Sequence, residues 1–320
     1  MYQTELLAAT DHGIARAAGL LREGALVAFP SETVYGLGGD ARQDRTVARI
    51  FEAKGRPGFN PLIAHLPDPE AAARYVDFPP LARQLAGRFW PGPLTLVLPL
   101  REGAGISPLA TSGLTTLAVR VPAHPVARAL LRAFGGPLAG PSANPSGRVS
   151  PTRAAHVMAG LSGRIEAVLD GGACEVGVES TILGFADGGV QLLRPGGLPV
   201  EELEVALGQR IAQHTTPKEP GRPMAPGQLG SHYAPGALVR LGARAAETGE
   251  ILVGFGPVKG DLTLSESGDL VEAAARLFHI LREADALAGP DGRIAFAPIP
   301  ETGLGHAIND RLRRAAAPRF

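Results

Sequence analysis

Cysteine is nearly absent. Cys174 is the single one among 320 residues, which excludes an intrachain disulfide or a thiolate metal cluster and fits a reducing compartment. Lysine is almost as scarce: only Lys54, Lys218 and Lys259 occur, so nearly all of the 31 basic residues are arginine. In such a chain a lysine is a candidate for a role that needs its compact ammonium. Net charge is lacking too, since 31 acidic residues balance the 31 basic ones. No global field draws the chain to a polyanion or an anionic membrane, and a local basic cleft is the remaining route to phosphate. No apolar run is long enough to span a bilayer. The opening residues, with Glu5 and Asp11, lack the basic start and apolar core of an export signal. A cytoplasmic address without a membrane partner is expected. One tryptophan, four tyrosines and eleven phenylalanines give little support for broad stacking on nucleic-acid bases. Two motifs are missing as well. No G-x-x-x-x-G-K-[ST] run occurs, so a nucleotide would be held by another architecture, and the eight histidines are scattered without ligand spacing, so no built-in metal is expected.

Hydrophobic residues make up 45% of the chain, enough for a sizeable core, and the length favours two domains. Ile14, Ala17, Ala18 and Leu21 recur at helical spacing before Gly24, and the apolar run 25–29 reads as a buried strand. Helices near 46–54 and 126–134 alternate with strands near 62–66, 94–98 and 117–121, which predicts an α/β sheet layered with helices. Strands near 167–169, 180–185 and 190–194 follow on shorter connections, so the sheet is expected to be mixed. From 213 to 235, Pro217, Pro220, Pro223, Pro226 and Pro235 punctuate a stretch poor in large apolar side chains, the composition of an extended linker. Strands near 238–241, 251–255 and 294–297, with helices near 270–287 and 307–315, then form a smaller α/β unit. The expected division is 1–210, a linker at 211–236, and 237–320.

Five stretches could carry chemistry. Residues 30–39, Pro-Ser-Glu-Thr-Val-Tyr-Gly-Leu-Gly-Gly, leave a buried strand and read either as a loop that lets backbone approach a ligand or as an ordinary glycine-rich turn. Lys54-Gly55-Arg56-Pro57, followed by Asn60-Pro61-Leu62 and His65, sets two cations just past a helix end. Lys54 alone could be a complement to the helix dipole, but Arg56 beyond the stop favours an anion site. Arg120 lies inside the apolar strand Thr115–Pro122, where an unpaired charge would be expensive, so either a ligand anion or an internal carboxylate must meet it. Gly140-Pro141-Ser142-Ala143-Asn144-Pro145-Ser146-Gly147 supplies hydroxyl and amide donors and leads to Ser150-Pro151, which reads as the N-cap and first residue of a helix suited to phosphate. Turn chemistry explains much of the same run. Finally, Gly177-Val178-Glu179-Ser180-Thr181 enters a strand, and Arg194 at a strand exit could reach a cleft or make a surface ion pair.

In this order, these stretches resemble the threonylcarbamoyl-AMP synthase family, the YrdC-like enzymes, in the long form with a C-terminal extension. K-G-R-P followed by P-L, and S-A-N-P-S-G, are the specific matches over roughly the first 205 residues. His232-Tyr233-Ala234-Pro235, Gly303-Leu304-Gly305 and Ala307–Leu312 match more diffusely. The resemblance implies a twisted, mixed, open α/β sheet of YrdC/RibB type around a basic cavity, with a second, smaller Rossmann-like α/β domain. It implies synthesis of L-threonylcarbamoyladenylate from L-threonine, bicarbonate and ATP, with release of pyrophosphate, for tRNA modification. By positional match Lys54 and Arg56 would be catalytic. Arg56, Asn60, Thr115, Ser142, Asn144, Ser150, Arg194, His232 and Tyr233 would bind ATP, and Thr33, His65, Arg120, Gly140 and Ser180 would frame threonine. Magnesium would arrive with the nucleotide, the linker would fold over the active site, and proteins that transfer threonylcarbamoyl to tRNA would be downstream partners. Gly230-Ser231 stands just before the His-Tyr pair, where relatives often carry a basic residue, which puts a phosphate contact from that position in doubt. Two further readings stay open: a carbamoyl-transferring enzyme with another acceptor, and a module that binds double-stranded RNA or tRNA.

Overall fold

The computed structural model describes residues 3–56, 58, 60–186, 188–213, 233–289 and 291–318. Its strands are β1 Glu5–Ala8, β2 Val27–Phe29, β3 Gly36–Asp40, β4 Ile63–His65, β5 Leu94–Pro99, β6 Thr116–Arg120, β7 Leu138–Ala139, β8 Ala167–Asp170, β9 Thr181–Ala186, β10 Gly189–Arg194, β11 Ala212–Gln213, β12 Leu238–Leu241, β13 Glu250–Gly254, β14 Leu262–Thr263 and β15 Arg293–Phe296. The first eleven form one sheet in the order β1-β8-β2-β3-β7-β4-β6-β5-β9-β10-β11. Parallel pairs such as β4–β6 and β5–β9 sit beside antiparallel ones such as β5–β6 and β9–β10. The sheet is therefore mixed, as the shortening connections predict. Successive residues of a strand face opposite sides, and in β2 they enter different cores. Val27 and Phe29 join Leu21, Leu130 and Leu131 from the helices Asp11–Arg22 and Pro125–Phe134. Leu26 and Ala28 pack with Ile50, Leu62 and Leu96. Both faces of the sheet are covered.

Residues 36–40 differ from the expected loop. They form a strand, and that strand joins the two halves of the sheet: Gly36–Gly38 pair with Val27–Phe29, while Gly39 and Asp40 pair with Ala139 and Leu138. Glycine is required by close packing. A Cβ on Gly36 would sit 2.9 Å from the Phe29 ring, and one on Gly39 would sit 2.7 Å from the Thr46 methyl. The following helix, Asp44–Lys54, ends at Gly55 in the left-handed region (φ 59°), where glycine carries no Cβ penalty. This sharp stop turns the chain toward Arg56.

The second sheet, β12-β15-β13-β14, is parallel throughout. Its core comes from the helices Leu270–Ala288 and Leu304–Ala315. The expected linker, 211–236, contributes β11 near its start, and residues 214–232 lie outside the described residues. The two units share one apolar cluster in which Val34, Val149 and Val178 meet Tyr233, Phe278 and Leu281. At Gly177, a Cβ would lie 2.4 Å from the Ala274 carbonyl oxygen and 2.4 Å from Ala275 Cα, so the backbone of the first unit presses directly on the long helix of the second.

Candidate active site

His65 and Arg120 close the carboxyl ends of the adjacent parallel strands β4 and β6 and are paired in register. Ligands of open α/β sheets bind outside such strand ends. Here a hollow is bounded by Ser31, Thr33 and Val34, these two residues, the 140–142 segment, Glu179 and Ser180 just before β9, the end of β10, Arg56 and Tyr233.

One side is organised around Arg120. Its Nη2 donates to Glu32 Oε1 at 2.6 Å, its Nη1 to the Thr33 hydroxyl at 2.8 Å and its Nε to the Gly92 carbonyl at 3.2 Å. The internal carboxylate that the apolar strand called for is thus Glu32. Burial opposes ionisation of Glu32, and Arg120 overcomes it, holding the carboxyl below its ordinary range. The turn is shaped by Ser31, whose hydroxyl donates to the Val34 carbonyl at 2.6 Å and accepts from the Thr33 and Val34 amides. His65 stands edge-on to Phe29, with centroids 5.5 Å apart. Burial, reinforced by Arg120, drives its pKa to about 3, so the imidazole is neutral near pH 7. Gly140 keeps the space beside it: a Cβ there would lie 2.7 Å from His65 Nδ1.

The other side carries Arg56, Arg194, Ser180 and Ser142. Arg56 donates to the Asn60 and Pro61 carbonyls at 3.2 and 3.1 Å, and burial lowers its pKa to about 10, leaving it charged. Arg194 donates to the Ser180 carbonyl at 2.9 Å and hydroxyl at 3.3 Å, and the Ser180 hydroxyl also pairs with Thr95 at 2.7 Å. Two guanidinium groups and two hydroxyls facing one enclosed space make a site for an anion.

Thr33, His65, Arg120, Gly140 and Ser180, the residues matched to threonine, all lie on the wall of this hollow, as do Arg56, Ser142, Arg194 and Tyr233. Others lie elsewhere. Lys54 is buried behind the wall, where its Nζ donates to the Ser142 and Asn144 carbonyls while its own carbonyl accepts from the Ser146 amide at 2.7 Å. Burial, and then Arg56, lowers its pKa well below the lysine value. Asn144 spends its amide on the Pro145 and Arg148 carbonyls, and Asn60 is buried with its Oδ1 unpartnered among the described residues. Thr115 is exposed at the edge of β6 and accepts from the Leu100 amide. Ser150 is fully buried and donates to Glu179 Oε1 at 2.5 Å. It caps no helix. The helix begins at Ala154, after Arg153, because 151 and 152 are tied to other segments: the Pro151 carbonyl accepts from Tyr35 and the Thr152 carbonyl from Cys174. His232 lies outside the described residues. Among the described residues no group of three or more His, Cys, Asp or Glu could hold a metal ion, and no helix is long and apolar enough to cross a membrane.

The sequence profile described as "Telomere recombination" matches residues 19–196, and that described as "Threonylcarbamoyl-AMP synthase, C-terminal domain" matches 198–317. A relative named threonylcarbamoyl-AMP synthase, from Bacillus subtilis, is 42% identical across 99% of this chain and 96% of its own. The chain belongs to the threonylcarbamoyl-AMP synthase family. A second family member of that name, from Pyrococcus abyssi, is 45% identical over 95% of this chain and 94% of its own. The crystal structure of P. abyssi Sua5 complexed with L-threonine shares the fold with a TM-score of 0.89, at 41% identity over 98% of both chains. Like these threonylcarbamoyl-AMP synthases, the chain is an enzyme with a mixed α/β sheet and a smaller second domain.

Glu32 and Glu179 are the site carboxylates to which the sequence reading gave no role. Glu32 was signalled indirectly, by the charge of Arg120 in an apolar strand. Glu179 lines the hollow yet carried no comparable signal, since its partner Arg311, with Nε to Oε2 at 3.0 Å, lies 132 residues away.

Proposed function

We propose that this enzyme joins L-threonine, bicarbonate and ATP into L-threonylcarbamoyladenylate, releases pyrophosphate, and so supplies threonylcarbamoyladenosine modification of tRNA. The carrying observation is that Thr33, His65, Arg120 and Ser180 share one hollow with Arg56 and Arg194, which sets a small polar cleft beside a cationic one. In this reading the threonine carboxylate faces Arg120, and its uncharged amine forms a C–N bond to the carbon of bicarbonate with loss of water, or to CO₂ with loss of the amine proton, to give the carbamate. A carbamate oxygen then bonds to the α-phosphorus as the bond from that phosphorus to the bridging oxygen breaks, and pyrophosphate leaves with the magnesium that ATP brought. No covalent help from the protein is needed, so catalysis is positioning plus neutralisation of phosphate charge. Arg56 and Arg194 supply the neutralisation, and Ser142, held from behind by Lys54, supplies a placed hydroxyl. A neutral His65 gives shape without adding charge. Transfer of the adenylate to tRNA-modifying proteins belongs to the same proposal.

The test is pyrophosphate release from ATP, magnesium and bicarbonate across a panel of amino acids. Release that depends on threonine is expected, and serine, which lacks the γ-methyl, should be about 10-fold or more poorer, on the scale of one methyl in a shaped pocket. Release indifferent to the amino acid, or driven by another acceptor, would overturn the reading in favour of a different carbamoyl-accepting chemistry.

A further inference from the structure

We infer that His279, on the long helix of the second unit, is a positioning residue of the active site: through the imidazole of His156 it holds the Thr152 amide, and with it the segment Val149–Thr152 that braces the wall of the hollow. The kinetic side of this inference rests on the functional reading above. Neither histidine lines the hollow. His156 lies in the first turn of the helix Ala154–Leu161, and His279 within the helix Leu270–Ala288. Their rings are 20° from parallel with centroids 5.5 Å apart, and His156 Nε2 stands 3.4 Å from His279 Nδ1. The Thr152 amide, 3.2 Å from His156 Nδ1, sets the direction of this contact. A backbone N–H can only donate, so Nδ1 offers its lone pair, and the proton of the neutral ring sits on Nε2. Nε2–H then donates to His279 Nδ1, whose own proton is left on Nε2. The relay runs one way, from Thr152 through His156 to His279. It needs both rings neutral, since a second proton on either would oppose a donor already there. Burial foremost keeps His156 neutral, its pKa falling to about 4, with Arg282, His279 and Arg153 adding to the effect. Burial, then Arg153 and Arg276, does the same for His279 against the pull of Glu283.

The segment is a strut with the hollow on one side and the second unit on the other. Inward, the Ser150 hydroxyl donates to Glu179 Oε1 at 2.5 Å, and the Pro151 carbonyl accepts from the Tyr35 amide at 2.8 Å. Glu179 lines the hollow, and so do Val34 and Gly36 on either side of Tyr35. Outward, Arg282 donates to the Val149 carbonyl. His279, three residues earlier and so on the same face of its helix, ends the relay from Thr152. Two side chains of one helix thus fix the two ends of the strut. Without His279 the imidazole of His156 loses its acceptor and is free to turn away from Thr152, which releases one end. A small shift of the wall costs turnover more than binding, because Arg120 and Arg56 still hold their substrate groups while the reacting atoms drift out of line.

The test pairs kinetics with NMR on the full-length protein, using His279→Leu, which deletes the acceptor, and His279→Asn, whose Oδ1 stands where Nδ1 did. Both rings are half-buried, so neither change empties the core. In His279→Leu, kcat should fall about 10-fold or more while the KM values for ATP and threonine stay within about 3-fold, and exchange of the Thr152 amide should quicken about 10-fold. His279→Asn should keep kcat and exchange within about 3-fold of wild type. A side chain that merely fills space would give the reverse ranking, since leucine packs better than asparagine. In wild type, ¹⁵N imidazole shifts should show both rings as Nε2–H tautomers at pH 7. An Nδ1–H or charged ring at His156, wild-type kinetics in His279→Leu, or equal losses in His279→Leu and His279→Asn would each overturn the inference. Should His279→Leu not fold, His279→Met takes its place with the same outcomes. If wild type shows no threonine-dependent turnover, the functional reading falls, and the Thr152 amide decides the brace without substrate: faster exchange in His279→Leu but not in His279→Asn upholds it, and unchanged exchange overturns it.

Discussion

Arg120 and Glu32 are 4% and 6% exposed at the side chain and 2.6 Å apart. Removing one partner of such a pair leaves the other as an uncompensated buried charge, at a cost of about 3–5 kcal/mol. Glu32→Ala is therefore expected to lose stability on that scale in urea unfolding, and to lose threonine affinity with it; a change below about 1 kcal/mol would mean that water reaches Arg120 freely. Lys54 acts through the loop it holds. Lys54→Met strands the buried Ser142 and Asn144 carbonyls, each costing about 1–3 kcal/mol, and lets the Ser142 hydroxyl drift from the wall. A loss of about 100-fold in kcat/KM for ATP is expected, and a folded variant with wild-type kinetics would contradict this placement. The need of Arg120 for a counter-ion was legible in the sequence, because an arginine in an apolar strand requires one. Its identity was not, since 88 residues separate the pair and only the fold brings turn and strand end together. For Lys54 the chain showed an unusual cation but not whether it pointed into the cleft or behind it.

At the level of elements, hydrophobic periodicity located the helices Asp11–Arg22 and Pro125–Phe134 and the strands β5 and β6 closely, because their alternation is local. Gly36–Asp40 escaped it. Four of its residues lack the side-chain pattern that marks a strand, and their glycines serve the close approach of Phe29 and Thr46, which no local window reveals. The misplaced helix start near Ser150 has a similar cause, since capping chemistry was present but the backbone was claimed by Tyr35 and Cys174. Gly177 shows the same logic between units. It has φ 75° and backbone of the long helix within 2.4 Å of any Cβ, so Gly177→Ala should push the units apart. Thermal unfolding of that variant is expected to lower Tm by several degrees or to split into two steps; a single unchanged transition would show that the contact yields without cost.

Across the whole molecule, the buried His65 and the half-buried His156 set the response to acid. The pKa of His65 falls to about 3 and that of His156 to about 4, burial being the main cause in both. Unfolded histidine takes a proton near pH 6.5, so the unfolded state binds more protons than the folded one below that pH, and stability is lost as pH falls. Glu32 and Glu179 act with the same sign in a lower window, since their depressed values give stability that is present above the ordinary carboxylate range and is lost as pH falls below it. Between pH 7 and 5 the histidines dominate, with His65 alone worth about 2 kcal/mol. Tm should drop steadily over that interval and drop less in His65→Asn; a flat profile would mean that His65 is solvated. The two-unit organisation itself was legible in the proline-rich break, but the way the second unit reaches the active site through Arg311 was not, because only the folded chain brings the helix Leu304–Ala315 to the start of β9.

The central claim, that one hollow joins an amino acid, a one-carbon unit and a nucleotide, is tested most directly by its product. Wild-type enzyme incubated with ATP, magnesium, threonine and ¹³C-bicarbonate should yield, by mass spectrometry, an adenylate carrying threonine and a single heavy carbon, formed in step with pyrophosphate. Pyrophosphate released into plain AMP, with no labelled threonine adduct at any time point under conditions that preserve adenylates, would contradict it.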